Sequence, residues 1–117
     1  MNRDATTIFA DIDSFDVDRF VKHLTPDVIF RFGNAEPLHG QDAVRAAVLG
    51  FWSTIDGLTH HLIKVIESGD TLVVKADVEY VRQDGKHVTV PNADILEFGG
   101  DLVRDWQIYI DLAPVFA

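Results

Sequence analysis

The sequence contains no cysteine, which excludes disulfide bonds, thiolate nucleophiles and thiolate zinc sites. Basic residues are also scarce, because ten Lys and Arg stand against nineteen Asp and Glu and give a formal charge of −9. This charge repels phosphate backbones and anionic lipid headgroups, so neither nucleic acid nor a membrane surface is expected as a partner. No apolar run approaches the roughly 20 residues of a membrane helix, and residues 1–4 lack the apolar segment of a signal peptide. We therefore expect a soluble, cytoplasmic protein.

What the chain does have is enough apolar residues for a core. Of its 117 residues, 47% are hydrophobic and 25% are charged, which matches ordinary globular proteins. No repeat, linker or low-complexity segment interrupts the sequence. The length is below the roughly 150 residues usually allotted to one domain, so a single domain over residues 1–117 is expected.

The N-terminal region has helical periodicity. Ile8, Ile12 and Phe15 recur at helical spacing, and Asp16 is suited to be the N-cap of a second run that ends before Pro26. The pattern predicts two short helices or one bent helix.

A strand and a third helix follow. Residues 28–32 are β-branched and aromatic, and they are bounded by turn residues, so they predict a strand. From Gln41 to Ile55 the apolar residues again recur at helical spacing, which predicts the helix.

The second half of the chain is extended. Turn sequences rich in Gly and Asp separate four segments with strand character, namely residues 59–67, 71–82, 87–98 and 102–112. Strands joined by such short turns form an antiparallel meander. Helices followed by a meander predict an α+β fold.

Four segments in this order carry a family resemblance: residues 13–16, 24–28, 38–44 and 106–111. In order and spacing they resemble the nuclear transport factor 2-like superfamily, which includes SnoaL-like polyketide cyclases, ketosteroid isomerases and limonene epoxide hydrolases. The resemblance implies a cystatin-like fold, in which a curved, mixed, mostly antiparallel sheet wraps around the N-terminal helices as a cone-shaped barrel. It also implies an apolar pocket inside the cone and a homodimer formed through the outer sheet face.

The resemblance indicates which residues of this chain occupy the catalytic positions of two branches of the superfamily. Asp94 falls on the aspartate that stabilises the oxyanion in ketosteroid isomerases, whereas the position of the base holds Arg31 and that of the tyrosine falls near Ile8. The positions of the epoxide hydrolase site fall near Ala76, Val78 and Ile108. Neither set of catalytic groups is complete in this chain.

Asp94 is the leading candidate for chemistry because it lies in an otherwise apolar strand. Removing a carboxylate from water is costly unless the group is protonated or paired, and Arg31 is the expected partner. An ionised Asp94 could act as a base or orient a water molecule, and a neutral one could donate a hydrogen bond. A purely structural Arg31–Asp94 ion pair is the alternative.

The adjacent histidines His60 and His61 are further candidates, since imidazole titrates near neutral pH. Neighbouring strand residues point to opposite faces, so only one of the two can enter the pocket. His61 shares parity with Ile63 and Val65, which favours His61 as a third catalytic group. A half-exposed structural histidine is the alternative. The spacing of the histidines does not suit a metal site, and no metal or cofactor is expected.

Parity within the strands and the resemblance together predict the remaining lining of the pocket. These ligand-binding candidates are Asn92, Tyr80, Val78, Ala76, Val90, Leu96, Trp106, Ile108, Ile110 and Trp52. The same parity places an apolar row on the outer sheet face, where it would form the homodimer: Thr89, Pro91, Ala93 and Ile95.

The expected function is binding of a small apolar or carbonyl-bearing ligand, with acid–base isomerisation, cyclisation or hydration as the reaction if the protein is an enzyme. A non-catalytic module for ligand binding or dimerisation on the same scaffold is the alternative.

Overall fold

The computed structural model describes residues 4–117, and this part of the chain forms four helices and six strands. The helices are α1 (Ala5–Asp13), α2 (Val17–Val21), α3 (Gln41–Trp52) and α4 (Ala113–Phe116). The strands are β1 (Leu24–Phe32), β2 (Leu38–His39), β3 (Ile55–Ser68), β4 (Thr71–Arg82), β5 (His87–Gly99) and β6 (Leu102–Ile110). The predicted helices and strands occur in the predicted order, whereas β2 and α4 were not predicted.

The strands form one sheet in the order β2-β1-β6-β5-β4-β3. Strands β3 to β6 pair consecutively and antiparallel, which is the predicted meander. Strand β1 lies parallel to β6 and antiparallel to β2, so the sheet is mixed. The α+β architecture with a mostly antiparallel curved sheet is therefore confirmed.

The N-terminal region contains two short helices, which is one of the two predicted arrangements; the other was one bent helix. Asp16 is the N-cap of α2, where its carboxylate accepts a hydrogen bond from the backbone N–H of Asp18 at 3.0 Å. Between the helices, Phe15 has a φ of 62° in the left-handed region. This conformation turns the chain and places the Phe15 ring against that of Trp52 on α3, with ring centroids 4.9 Å apart.

Strand β1 begins earlier than predicted, at Leu24 rather than at residue 28. Pro26 disfavoured a strand there because it has no N–H to donate. The structure accommodates Pro26 where the pairing of β1 with β6 shifts register between Leu24 and Ile29.

The third helix ends at Trp52 instead of continuing to Ile55, which is the first residue of β3. The hydroxyl groups of Ser53 and Thr54 donate to the carbonyl oxygens of Gly50 and Phe51, each at 2.6 Å. These bonds satisfy carbonyl groups of the last turn and end the helix. The periodicity was misleading because Ile55 is buried in the strand as it would have been on the helix.

The core lies between the helices and the inner face of the sheet. Trp106 is at its centre, and the rings of Phe9, Phe20 and Phe30 lie with centroids 5.3 to 6.0 Å from the Trp106 ring. These aromatic contacts join α1 and α2 to β1 and β6. Within residues 4–117, no helix is long and apolar enough to cross a membrane.

Candidate functional site

A cavity of about 290 Å³ lies between the helices and the inner face of the sheet. Its walls are mostly apolar, and seven of the residues that line it are aromatic when Tyr80 and the two tryptophans are counted with four phenylalanines. A small, largely apolar molecule matches this volume and lining. The polar and titratable side chains that reach the cavity are those of Glu36, His60, Tyr80, Asn92 and Asp94.

Asp94 is the most buried carboxyl group of the cavity wall, with 1% of its surface exposed. One oxygen, Oδ1, accepts a hydrogen bond from Asn92 Nδ2 at 2.8 Å, and Oδ2 accepts one from Trp106 Nε1 at 3.1 Å. Asn92 lies two residues before Asp94 on the same face of β5, and Trp106 is on the adjacent strand β6. The two donors fix the orientation of the carboxyl group.

Burial raises the pKa of Asp94 from 3.8 to about 6. Three effects lower this pKa: the charge of His60 and the hydrogen bonds from Asn92 and Trp106. The effect of burial is larger than these three effects together. A carboxyl group with this pKa can both accept and release a proton near neutral pH.

Tyr80 supplies a hydroxyl group to the same cavity. Its side chain is buried, yet its hydroxyl oxygen makes no hydrogen bond within residues 4–117. The oxygen retains some accessible surface. Burial raises the pKa of the Tyr80 phenol, and the nearby carboxylates of Asp94 and Asp13 raise this pKa further. The hydroxyl therefore stays protonated and is available to donate to a ligand.

His60 reaches the cavity from β3 and is held by Asp13, the last residue of α1. The Asp13 carboxylate contacts His60 twice: Oδ1 lies 2.6 Å from Nδ1, and Oδ2 accepts from the backbone N–H at 2.8 Å. With Nδ1 donating to Asp13, the neutral imidazole has its lone pair on Nε2. Nε2 has no hydrogen-bond partner among the described residues, so it is available for proton transfer.

The orientation predicted for the histidine pair is wrong, because His60 rather than His61 faces the cavity. His61 lies on the outer face of the sheet, where its Nε2 is 2.9 Å from Glu79 Oε1. Its expected parity rested on Ile63 and Val65, but both of these are exposed, and the pairing of β3 with β4 shifts register between Leu62 and Lys64. Parity counted across this irregularity assigns the wrong face.

The expected Arg31–Asp94 pair is absent. Phe30 and Phe32 face the cavity, so Arg31 between them lies on the other face of β1. Its Nε donates to the carbonyl oxygen of Ala35 at 3.1 Å and thereby braces the loop between β1 and β2. The partners of Asp94 are the neutral donors Asn92 and Trp106 instead.

The predicted lining divides into two groups. Asn92, Tyr80, Trp52, Trp106 and Ile108 line the cavity. The others face inward as predicted but belong to the packed interior: Ala76, Val78, Val90 and Leu96 are buried outside the lining, and Ile110 packs partly buried against the core. Inward orientation alone did not distinguish them, because the cavity occupies only part of the inner sheet face.

Two carboxylates that contribute to the site were missed from the sequence. Asp13 orients His60 across 47 positions of sequence, a contact that periodicity cannot reveal. Glu36 lies in an exposed loop and yet lines the cavity, and no local pattern marked it. The residues from 4 to 117 bring together no group of three His, Cys, Asp or Glu side chains that could hold a metal ion.

The fold and the enclosed apolar site define the nuclear transport factor 2-like class, and comparison with known proteins supports this. The model of the SnoaL-like domain family matches residues 5–106, so the chain belongs to that family. A comparison with curated proteins finds no match.

Solved structures share the fold at low sequence identity. An NTF2-like protein of unknown function from Burkholderia pseudomallei has a TM-score of 0.85 and 19% identity, over 95% of this chain and 90% of that one. A protein from Jannaschia sp. CCS1, provisionally described as a SnoaL-like polyketide cyclase, has a TM-score of 0.75 and 19% identity, over 99% and 94%. AclR from Streptomyces galilaeus, provisionally described as a hydroxylase, has a TM-score of 0.80 and 15% identity, over 95% and 88%.

Proposed function

We propose that the protein binds a small, apolar, carbonyl-bearing molecule in the cavity and catalyses proton transfer on that molecule. The observation that carries the proposal is the buried Asp94 carboxyl group, which is held by two neutral donors in the same apolar cavity as the available Tyr80 hydroxyl. A group poised to exchange a proton and a donor poised to bind an oxygen are what enolisation of a ketone requires.

The geometry supports a simple reaction. The Tyr80 hydroxyl donates a hydrogen bond to the carbonyl oxygen of the ligand, and ionised Asp94 removes a proton from the adjacent carbon. The C–H electron pair moves into the ligand, which becomes an enolate whose oxygen is stabilised by Tyr80. Return of the proton from Asp94 to another carbon is isomerisation. Attack of the enolate carbon on a second carbonyl of the same molecule forms a C–C bond and an alkoxide, which takes the proton back from Asp94, and this is cyclisation.

His60 gives the cavity a second group for proton transfer. Asp13 holds its ring and compensates the charge that the ring acquires on protonation. The provisional description of the Jannaschia relative as a polyketide cyclase makes cyclisation of a ketone-rich molecule the branch that we favour.

Deuterium exchange tests the proposed chemistry without knowledge of the natural substrate. We expect the protein to accelerate exchange of the methyl protons of 2-acetylnaphthalene in D₂O at neutral pH, measured by loss of the proton NMR signal. Asp94→Asn should slow the catalysed exchange at least about tenfold, because it removes the proposed base. Some exchange should remain, since His60 can still transfer protons.

Asp77→Asn is the matched control, because Asp77 lies on β4 outside the cavity lining and its loss should leave the exchange unchanged. Undiminished exchange in Asp94→Asn would remove Asp94 from the reaction. Binding of the ketone without any accelerated exchange would assign the protein to the non-catalytic ligand-binding class.

We also propose that the protein is a homodimer formed through the outer sheet face. Pro91, Ala93 and Ile95 on β5 and Tyr109 on β6, here called the outer patch, point away from the core, and Tyr109 is 52% exposed. Ala93 and Tyr109 are paired across the two strands, so the patch is continuous. A second copy of the chain would bury this apolar surface.

Light scattering at about 50 μM, above the micromolar range in which such interfaces hold, should give twice the monomer mass. Ala93→Glu should give a monomer, because it places a charge inside the interface. Val65→Glu should remain a dimer, since Val65 is exposed on β3 outside the outer patch. A monomeric wild type would contradict the proposal.

A further inference from the structure

The lining of the cavity is unbalanced in charge. It contains the carboxyl groups of Glu36 and Asp94 but no Lys or Arg. His60 is the one lining residue that can become cationic among the described residues, and its charge is compensated by Asp13 at 2.6 Å. An entering ligand therefore meets negative or neutral groups.

Glu36 lines the cavity and is also exposed to solvent. It belongs to the exposed loop between β1 and β2, and its neighbour Ala35 and the nearby Leu38 also contribute to the lining. Glu36 makes no ion pair within residues 4–117. Its charge is therefore not neutralised by a direct partner.

Arg31 fixes this loop without joining the lining. Its guanidinium Nε donates to the carbonyl oxygen of Ala35, the residue before Glu36. Arg31 itself lies on the other face of β1, so the bond restrains the backbone of the loop from outside. The position of Glu36 at the cavity is thus supported by the fold.

The aromatic walls act in the same direction as the carboxylates. The face of an aromatic ring carries negative potential and attracts a cation, whereas it gives no such attraction to an anion. Phe32 and Phe51, whose ring centroids lie 5.3 Å apart, line the same cavity as Glu36.

We propose that the cavity selects ligands by charge, admitting uncharged and cationic molecules and excluding anionic ones, with Glu36 as the specificity-determining residue. This inference rests on the proposed function, since both take the cavity to be the ligand-binding site. It narrows the substrate class to ketones that carry no carboxylate, sulfonate or phosphate group.

Three naphthalene derivatives of similar shape test the selection by isothermal titration calorimetry. They are 2-acetylnaphthalene, which is neutral, naphthalene-2-sulfonate, which is anionic at all accessible pH values, and trimethyl(2-naphthylmethyl)ammonium, which is always cationic. We expect the sulfonate to bind at least about tenfold more weakly than the ketone, and the ammonium compound to bind at least as tightly as the ketone.

Glu36→Gln should strengthen binding of the sulfonate about threefold relative to binding of the ketone, because it removes one nearby negative charge that repels only the anion. Glu67→Gln is the matched control: Glu67 is exposed on β3 outside the lining, and its substitution removes the same charge from the protein. An equal gain in both variants would show a general charge effect and overturn the role of Glu36.

Sulfonate binding as tight as ketone binding would overturn charge selection while leaving the ligand cavity intact. Failure of all three compounds to bind would instead overturn the proposed ligand-binding function, and the charge selection with it. The two failures are therefore distinguishable in one set of titrations.

Discussion

Between pH 4 and pH 7, the wild-type protein should lose about 2.5 kcal/mol of unfolding free energy that the Asp94→Asn variant does not lose. The cause is the burial of Asp94, which raises the pKa of its carboxyl group from 3.8 to about 6. A carboxyl group with a raised pKa in the folded state binds its proton more tightly there than in the unfolded chain. Its contribution to stability is therefore fully present below pH 4 and is lost as the pH rises through about 6.

Urea unfolding at several pH values between 4 and 8 measures this loss, and the difference between wild type and variant isolates the single group. The absolute stabilities will differ for another reason: the amide introduced by Asp94→Asn has one acceptor oxygen, whereas Asn92 and Trp106 each donate to a separate oxygen of Asp94. The pKa of Asp94 is therefore reported only by how the difference in unfolding free energy between wild type and variant changes with pH. A difference that stays constant from pH 4 to pH 7 would contradict the prediction.

Arg31→Ala provides a second check by carboxyl NMR. Because Arg31 bonds Ala35 rather than Asp94, the variant should leave the Asp94 titration unchanged. A clear rise of the Asp94 pKa in Arg31→Ala would show that the guanidinium acts on the carboxyl group.

Asp94 illustrates what the sequence could reveal about the site. One acidic residue in an apolar strand is a strong signal, and simple alternation along β5 correctly placed Asn92, Asp94 and Leu96 on the buried face. Its partner was not predictable in the same way. Arg31 was favoured for its charge, but Phe30 and Phe32 on either side already occupied the inward face and left Arg31 on the outer one.

The histidine pair shows a second limit. Alternation is reliable while the pairing between strands is regular, and the meander from β4 to β5 has no register shift. Strand β3 has two shifts, between Ile55 and Gly57 and between Leu62 and Lys64. A shift depends on the partner strand, so the sequence of β3 alone did not reveal that His60 faces inward.

Contacts between distant segments were the hardest to predict. Asp11 is a clear case: it lies on α1 in an ordinary helical segment, yet it is 4% exposed and contacts three basic side chains. Helical periodicity located α1 correctly. It gave no indication that α2 and the start of β1 would surround this carboxylate.

Asp11→Ala should lower the unfolding free energy at pH 7 by about 3 kcal/mol. The Asp11 carboxylate accepts from Arg19 Nη2 at 2.7 Å, and Lys22 Nζ lies 3.3 Å from it. His23 Nε2 lies 2.7 Å from Oδ2, and the His23 side chain is 2% exposed. Arg19 and Lys22 are half exposed and can return to water, so most of the expected loss comes from the buried imidazole, which is left without a partner.

Asp18→Ala is the matched control because it removes a carboxylate with an equally short contact at an exposed place. Asp18 lies 2.6 Å from Arg45 Nη1, but its side chain is 79% exposed. Exposed ion pairs contribute about 0–1 kcal/mol, so this variant should lose much less than Asp11→Ala. Burial, rather than distance, is what the comparison tests.

The pH dependence at Asp11 should be opposite in sign to that at Asp94. Burial by itself would raise the pKa of Asp11, but the hydrogen bonds from His23, Arg19 and Lys22 prevail and lower this pKa to about 2. The stabilisation by Asp11 is therefore present above pH 4 and is lost as the pH falls through about 2, so the gap between wild type and Asp11→Ala should narrow on acidification. Urea unfolding at pH 7 and pH 3 measures both effects. Equal losses in Asp11→Ala and Asp18→Ala at pH 7 would mean that the junction of α1, α2 and β1 does not depend on the buried carboxylate.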